Sequence, residues 1–493
     1  MRSHEMTLDE RLAGAVLGHL VGDAVGVPYE FTGPRDAATV EFGATGTWHR
    51  PAGTWSDDGA LMLALLDSLL ERGFDPEDQG RRALAWYEGT AYTPDGEGRF
   101  DVGNATAEAL ARIAAGVPAA TAGATHERSK GNGSLMRILP LALVERDVPD
   151  AVLVEHASIA SGVTHGTAAA RVACALYALV VRGLLRGDAP AGALGHAVEV
   201  LKGVCAAGSE ERATLDDLLA YAARGGRAFV FDAFWSAWDA FAGATDYAGA
   251  VRRAVAYGND TDTTAAIAGG LAGAHWGWGG IPVAWRRGLR GPEVAGPLID
   301  RLVETNAGAR TSRRSPLRVD EVDLAGAPGL AGATGRLGIT FLPGKKRHGW
   351  TGPHWRDLDL DVARLRALGW DALYLLNEDK ELAFCLVPEI EAVFRAAGTP
   401  VLVRHPIPDP QVPPDDRAYA AMVREIVERV RAGESVAIAC RGGMDRSGMT
   451  ASCVLVEAGM PPESAMDRVQ ASRRNTITKE DQRAYVRTWP HAG

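Results

Sequence analysis

The rhythm of apolar residues changes once along these 493 residues, near position 308, and that change constrains the fold more than any other feature. Up to about Ala307, stretches such as "RLAGAVLGHLVGDAVG", "ALMLALLDSLLERG", "AAARVACALYALVVRGLLRG" and "LIDRLVETNAG" place apolar residues three or four positions apart and stop at glycine. That period belongs to helices and predicts an all-α first domain over residues 1–307. "ARTSRRSPLRVDEVDLAGAPGLAGATGR" then breaks the period with Pro, Gly, Ser and mixed charge, which predicts a linker over 308–335. Beyond it the short β-branched runs "LGITFLPG", "DALYLLNE", "PVLVRHPIP" and "SVAIAC" alternate with helical ones such as "DVARLRALG" and "YAAMVREIVERVRAG". The expectation for 336–493 is an α/β domain with a parallel sheet flanked by helices, making the chain multidomain.

Length alone exceeds one ordinary core. A hydrophobic fraction of 46% and a charged fraction of 23% fit a globular protein. The net charge of −10 at pH 7 argues against a dedicated polyanion surface and so against direct nucleic-acid binding, and leans towards divalent cations. Five cysteines, Cys174, Cys205, Cys385, Cys440 and Cys453, form no CxxC pair, which fits a reducing compartment. The first residues, "MRSHEMTLDERLAGAVLG", carry acids where a secretory leader needs an apolar core, so a cytoplasmic location is expected. The uncharged run after Asp262 is mostly Gly and Ala, too weakly hydrophobic to span a bilayer, and no membrane partner is expected.

That run raises its own question, because "GNDTDTT" sets Asp260, Asp262 and Thr263 at its mouth. A second set, Ser56, Asp57 and Asp58 in "GTWSDDGALM", also stands at the start of a small-residue helix. Either pair alone is explained as a helix N-terminus, where carboxylates meet free N–H groups and the positive end of the dipole. Two such pairs aimed at one interior repel each other unless cations neutralise them. Oxygen-only donors suit Mg²⁺ or Mn²⁺ and not zinc.

With these, "RLAGAVLGHLVGDAVGVPYEF", "FDVGNAT", "GNGSLMR" and "VTHG" stand in the order of the signature segments of the ADP-ribosylglycohydrolase family, which includes dinitrogenase-reductase-activating glycohydrolase, and the first 300 or so residues resemble that family. The resemblance implies an all-α fold with two divalent cations, Mg or Mn, at the bottom of an ADP-ribose cleft. It assigns Ser56, Asp57, Asp58, Asp260, Asp262 and Thr263 to the metals, with Ser56 where threonine is commoner. It makes Glu30 and Asp58 catalytic, and Gly131, Asn132, Gly133, Ser134 and Met136 a diphosphate cradle. It sets His165 in the cleft and Asp101 against the leaving guanidinium of arginine-directed members. Alone, Glu30 reads equally as a loop acid, the Gly-Asn-Gly turn as a helix cap and His165 as a buried structural histidine. The expected chemistry is hydrolysis at the anomeric carbon of ADP-ribose on a protein or a small conjugate, with arginine favoured as acceptor.

In the second half, "SVAIACRGGMDRSGMTASCVLVEAG" puts Cys440 at a strand end, Arg446 six residues on and a helix after Ser447. A strand, a tight loop and a helix N-terminus aim several N–H groups at one point, which favours a dianion and activates a thiol. A cysteine at a strand end is otherwise a small buried hydrophobe. The loop, with "GWDALYLLNEDKEL" and "HPIPDPQVPP", resembles the cysteine-dependent tyrosine and dual-specificity phosphatases, nearest the cyclin-dependent kinase inhibitor 3-like branch. The resemblance implies Cys440 as nucleophile, Arg446 on the phosphoryl oxygens, Ser447 assisting thiophosphate breakdown and Asp409 as general acid. Arg441, Gly442, Gly443, Met444 and Asp445 complete the loop around a phosphorylated substrate. Ala439 stands where many members have histidine, and Asp445 where this branch has glycine. Asp445 should repel a dianion unless it is paired or protonated. It is also an alternative proton donor, as in the Sac and myotubularin lipid phosphatases. The alternative to two activities is an active glycohydrolase carrying a non-catalytic phospho-ligand module.

Overall fold

A computed structural model describes residues 6–96, 98–349 and 352–489. The chain forms two compact units, Met1–Ala307 and Gly308–Gly493. The leader reading of the first residues rests partly on positions 1–5, outside the described residues.

Among its described residues the first unit holds fourteen α-helices and no strand. Its centre is a pair of antiparallel helices, Leu8–Gly26 and Thr261–Gly280, apolar on every face and almost wholly buried. Glycines recur every four residues along the first, and one face of a helix is what that spacing lines. A methyl on Gly14 would lie 2.6 Å from the Gly273 carbonyl oxygen, one on Gly18 2.5 Å from that of Gly269, and one on Gly22 2.1 Å from that of Ala265. Backbone therefore rests on backbone, and the small-residue run exists to permit it. The close approach carries on to Gly26, where a methyl would lie 2.4 Å from Asp262 Cα, so the packing fixes where the acidic end of the second helix sits. The helices Leu8–Tyr29 and Ala168–Arg186 have the length and mean hydropathy of bilayer spans, and both are packed inside this unit.

Among its described residues the second unit has eight strands: β1 (Arg310–Thr311), β2 (Asp320–Val322), β3 (Leu337–Phe341), β4 (Lys346–Gly349), β5 (Gly352–Trp355), β6 (Ala372–Leu375), β7 (Val401–Arg404) and β8 (Val436–Cys440). The main sheet runs β2-β3-β8-β6-β7, parallel except for β2 at the edge. β8 lies inside it, and its residues alternate. Val436, Ile438 and Cys440 pack with Met422, Ile426, Met449 and Met466 on one face, while Ala437 and Ala439 pack with Val362, Leu365 and Ile390 on the other. Helices therefore cover both faces, as the alternating runs require.

The stretch 308–335, expected as a linker, is instead part of this unit. β1 pairs in parallel with β5, and β2 adds antiparallel to β3. Strands of two and three residues are too short to show a period, so only the turn residues between them were legible. The small sheet β1-β5-β4 was likewise hidden, because "KRHG" and "GPHW" carry no apolar alternation.

Candidate active sites

In the first unit, acids from distant parts of the chain converge. Ser56 caps the helix Asp57–Arg72 by accepting the Asp58 N–H at 3.3 Å, which leaves Asp57 and Asp58 in its first turn. Asp260 and Asp262 open the helix Thr261–Gly280. The two ends meet: Thr263 Oγ1 donates to Asp58 Oδ2 at 3.2 Å, with Ser56 Oγ 3.3 Å from the same oxygen. Glu30, Asp260 and Asp262 each bring one carboxylate oxygen within 4.8 Å of the others. Asp101, held at φ +54°, reaches the carboxyl groups of both Glu30 and Asp262.

Burial first, and mutual repulsion second, push the carboxyls of Asp57, Asp58 and Asp262 well above the usual range. Burial and the Asp101 charge raise Glu30 to about 9. Such a set ionises together only with positive charge among it. The donors are all oxygen, and the buried oxygens Asp58 Oδ1 and Asp262 Oδ2 have no hydrogen-bond partner among the described residues. Both facts fit a hard divalent cation.

The expected diphosphate cradle is more mixed. "GNGSLMR" forms turns, and a helix begins only at Leu139. Asn132 Nδ2 donates to Asp260 Oδ2 at 2.9 Å, so this side chain braces the acidic cluster. The Ser134 hydroxyl is fully buried and accepts from Ser161 Oγ at 2.8 Å, and Met136 is also buried; neither side chain faces a cleft, because the turn folds them into the core. Gly131, Gly133 and the turn's N–H groups, apart from those of Asn132 and Met136, which donate to the Ala228 and Asn132 carbonyls, are what it can offer a ligand. His165 is buried against that turn, where a methyl on Gly133 would lie 2.7 Å from its Cε1. Burial and the Arg137 guanidinium hold its imidazole neutral, near 3.

Two contributors were not foreseen. Asp23 accepts the Ser56 N–H at 3.0 Å and the Gly59 N–H at 2.8 Å, fixing the turn that carries Asp57 and Asp58. A lone acid inside the apolar run "GHLVGDAVG" was its signal. Trp48 Nε1 donates to Glu30 Oε2, and its ring lies 6.2 Å from that of Phe31 and 5.6 Å from that of Phe100. No spacing marks such a residue.

In the second unit, Cys440 ends β8 at the floor of a cavity of about 500 Å³, at the carboxyl end of the parallel strands. Gly443 has φ +63°, and a methyl there would lie 2.4 Å from the Thr340 carbonyl oxygen, so the loop turns tightly under β3 only with glycine. Arg446, in the first turn of the helix Asp445–Glu457, is buried. Its Nη1 and Nη2 donate to Glu381 Oε2 and Oε1 at 2.7 and 2.6 Å, and Nη1 donates to the Ile407 carbonyl at 2.7 Å. Glu381 is the second-unit residue that the sequence reading passed over, although it lies in the quoted "NEDKEL". Asp409 Oδ1 is 3.3 Å from Arg446 Nε and lines the same cavity. Asp445 Oδ1 accepts from Thr478 N and Oγ1 at 2.7 and 2.9 Å, so the carboxylate expected to repel a dianion is paired. The Ser447 hydroxyl is buried with no hydrogen-bond partner among the described residues. Arg441 stacks on the Phe384 ring at 4.5 Å, and its carbonyl accepts the buried Lys345 Nζ at 3.2 Å. Gly442 and Met444 also line the cavity.

Comparison with known proteins agrees with this division. The family model for ADP-ribosylglycohydrolase matches residues 4–312, and that for cyclin-dependent kinase inhibitor 3 matches residues 329–466. An ADP-ribosylarginine hydrolase Tri1 of Pseudomonas putida is 32% identical over 313 residues, 60% of this chain and 80% of the relative. The ADP-ribosyl-[dinitrogen reductase] glycohydrolase of Rhodospirillum rubrum is 29% identical over 297 residues, 57% of this chain and 90% of the relative. A solved ADP-ribosylglycohydrolase-related protein complex matches with a TM-score of 0.51 at 36% identity, covering 61% of this chain and 99% of that one. A helical unit with its carboxylates gathered at two helix starts, matched along its whole length, makes this chain a member of the ADP-ribosylglycohydrolase family, with a phosphatase-like domain of the cyclin-dependent kinase inhibitor 3 type behind it.

Proposed function

We propose that the chain is a bifunctional hydrolase of the cytoplasm: its first unit removes ADP-ribose from arginine, and its second hydrolyses a phosphate monoester. The observation that carries the first activity is the convergence of Glu30, Asp260 and Asp262, with Asp58 joined through Thr263, and with buried oxygens of Asp58 and Asp262 that have no partner among the described residues. Ser56, Asp57, Asp58, Asp260, Asp262 and Thr263 would hold two divalent cations, Mg or Mn. Bound there, the cations supply the positive charge that lets the carboxylates ionise together and orients the ribose hydroxyls.

The chain's own groups do the rest. Asn132 and Asp23 keep the carboxylates in register. The bond from the anomeric carbon to the guanidine nitrogen breaks as water adds to that carbon. Glu30, oriented by Trp48, takes the proton from the water and passes it to the departing guanidine nitrogen, so the arginine leaves as its guanidinium. Asp101 supports arginine as acceptor, because a carboxylate beside Glu30 complements the guanidinium fork, and a relative 32% identical bears the name ADP-ribosylarginine hydrolase. The test is release of ADP-ribose from ADP-ribosylated arginine, serine and nucleotide substrates with Mg²⁺, Mn²⁺ or chelator. Release from serine in preference to arginine would overturn the acceptor assignment.

In the second unit, the Cys440 sulfur attacks phosphorus while the ester oxygen leaves with the proton of Asp409. Water then adds to phosphorus, giving its proton back to Asp409 as the S–P bond breaks and the Cys440 thiolate leaves with help from Ser447, and Arg446 stays beside the phosphoryl oxygens. The pairing of Asp445 with Thr478 favours turnover over a silent binding module, since it draws that charge towards a donor. Hydrolysis of p-nitrophenyl phosphate that vanishes in Cys440→Ser supports the reading; no Cys440-dependent turnover would leave only the binder. With an alkyl phosphate, whose leaving group needs a proton, Asp409→Asn should lower turnover by about 10²-fold and Asp445→Asn by far less.

A further inference from the structure

A second cavity, of about 430 Å³, abuts the Cys440 cavity, sharing Lys345, Gly442 and Met444 with it. Its wall is cationic: Arg310, Arg318, Lys345, Arg356 and Arg473 line it together with His354, and among the described residues no acid does. Among the described residues two carboxylates answer these five cations from behind. Asp361 takes Arg356 in a bidentate pair at 2.6 and 2.8 Å. Asp320 is shared by Arg318 and Arg473, at 2.7 and 2.6 Å. Lys345, only 5% exposed, donates to a carbonyl and pairs with no carboxylate among the described residues. An excess of about three positive charges around a concave space is costly unless an anion completes it. The buried His354 reports the same field: burial and the neighbouring Lys345, Arg356 and Arg310 drive its imidazole down to about 3.

Part of the wall comes from the segment that composition marked as a linker. Arg310 lies on β1, and Ser315, Pro316 and Arg318 follow it, all before residue 329 where the phosphatase family match begins. The shared Lys345 and the loop residue Gly442, whose carbonyl accepts Arg473 Nη2 at 3.2 Å, couple this wall to the Cys440 loop.

We propose that this second cavity is an anion subsite that receives a further phosphoryl group of the same molecule whose phosphomonoester reaches Cys440, so that the second unit prefers small bisphosphorylated ligands. The inference rests on the reading of the Cys440 loop as a phosphate site. Carboxylates flanking a phosphorylated residue of a protein spread over an open surface; here Lys345, His354 and Arg356 are buried in a concave wall, which suits a compact dianion with several acceptor oxygens.

The experiment is calorimetric titration of the full chain carrying Cys440→Ser, in chelator so that the first unit's carboxylates hold no cation, with fructose 6-phosphate and fructose 1,6-bisphosphate as probes. The bisphosphate should bind at least about tenfold more tightly. Adding Arg310→Ala and Arg318→Ala, both on the outer wall and away from the Cys440 loop, should reduce that preference to within about twofold and leave fructose 6-phosphate affinity unchanged, with melting temperature confirming the fold. Equal affinities, no binding of either sugar, or a preference that survives the double substitution overturns the subsite. A preference for a phosphopeptide with flanking aspartates, with no gain from the bisphosphate, overturns it in favour of a protein ligand. Because binding is read without turnover, loss of the phosphatase reading appears separately, as absence of Cys440-dependent hydrolysis in the unsubstituted chain.

Discussion

Glu381→Gln tests what holds Arg446, the arginine proposed to bind phosphate. Arg446 is 1% exposed, and both of its terminal nitrogens are taken by the two oxygens of Glu381. Replacing the carboxylate by an amide of the same shape leaves a buried guanidinium without its matching charge, a change that costs about 3–5 kcal/mol when one partner of a buried pair is lost. The Ile407 carbonyl at 2.7 Å, the Leu376 carbonyl at 3.2 Å and Asp409 at 3.3 Å remain, and the amide oxygen still accepts one bond. The loss should therefore lie near the lower end, about 3 kcal/mol. In a unit spanning residues 308–493, each kcal/mol moves the melting point by about 2–4 °C, so a fall of about 6–12 °C is expected. Calorimetry reads it on the transition that orthophosphate shifts. Turnover of p-nitrophenyl phosphate should fall by about 10²-fold, the effect of letting a positioned group drift by about 1 Å. Glu381→Asp, which keeps the charge, should recover part of the stability. A melting point within about 2 °C of the parent's would refute the argument, because another group would then be compensating Arg446.

Asp58→Asn combined with Asp262→Asn should abolish the gain in melting temperature that Mn²⁺ gives the first unit, a gain of about 2.7 kcal/mol at a hundredfold excess over Kd. In chelator the same variant should melt above the parent, since it removes two members of a repelling set; a metal-induced shift as large as the parent's would sink the ligand assignment. Gly22→Ala places a methyl 2.1 Å from the Ala265 carbonyl, so the helices must separate. The expected outcome is a loss of about 1–3 kcal/mol or more by thermal melting, with weaker metal affinity because Asp262 moves with its helix; unchanged affinity at a lowered melting point would show that the glycine contacts do not set the cluster. Burial lowers the Lys345 ammonium to about 8, so it is charged below that pH and neutral above it. Because the folded value lies below the unfolded one, keeping the charge opposes folding up to about pH 8, and this cost fades as the pH climbs from there towards 10.5. The KM for p-nitrophenyl phosphate should rise between pH 7 and 9 in the parent and stay flat in Lys345→Met; parallel profiles would refute the role.

What could be read from the residues followed the length of each signal. Long helical periods and the apolar four- and five-residue strands β3, β6, β7 and β8 marked the two domains, and the paired acids at residues 57–58 and 260–262 marked the cluster, because electrostatics demands a reason for acids at the mouth of an apolar helix. Ser134 was misjudged for the opposite reason: a Gly-x-Gly turn announces a loop but not which way its hydroxyl points, and here it points into the core against Ser161. Glu381 and Asp23 escaped because each acts through long-range partners, Arg446 in one case and the Ser56 and Gly59 amides in the other, and such partners leave no local period. β1 and β2 escaped because two or three residues cannot alternate visibly.

The two units solve the same electrostatic problem with opposite signs. The first gathers carboxylates under burial until only cations let them ionise together, and the second gathers Lys345, Arg310 and a half-answered pair of arginines until an anion is needed. In each, like charges are held together by packing that would be stable without them: backbone against backbone at Gly14, Gly18 and Gly22, and β8 between two apolar layers. A scaffold of that kind can bear a repelling site because the cost is small beside the burial around it. Ligand binding then stabilises both units through charge rather than through new apolar contact, which makes binding depend on salt only as far as each site is open to water. The deeply buried acids should therefore respond weakly to ionic strength, and the more open wall that includes Arg310 and Arg318 should respond strongly.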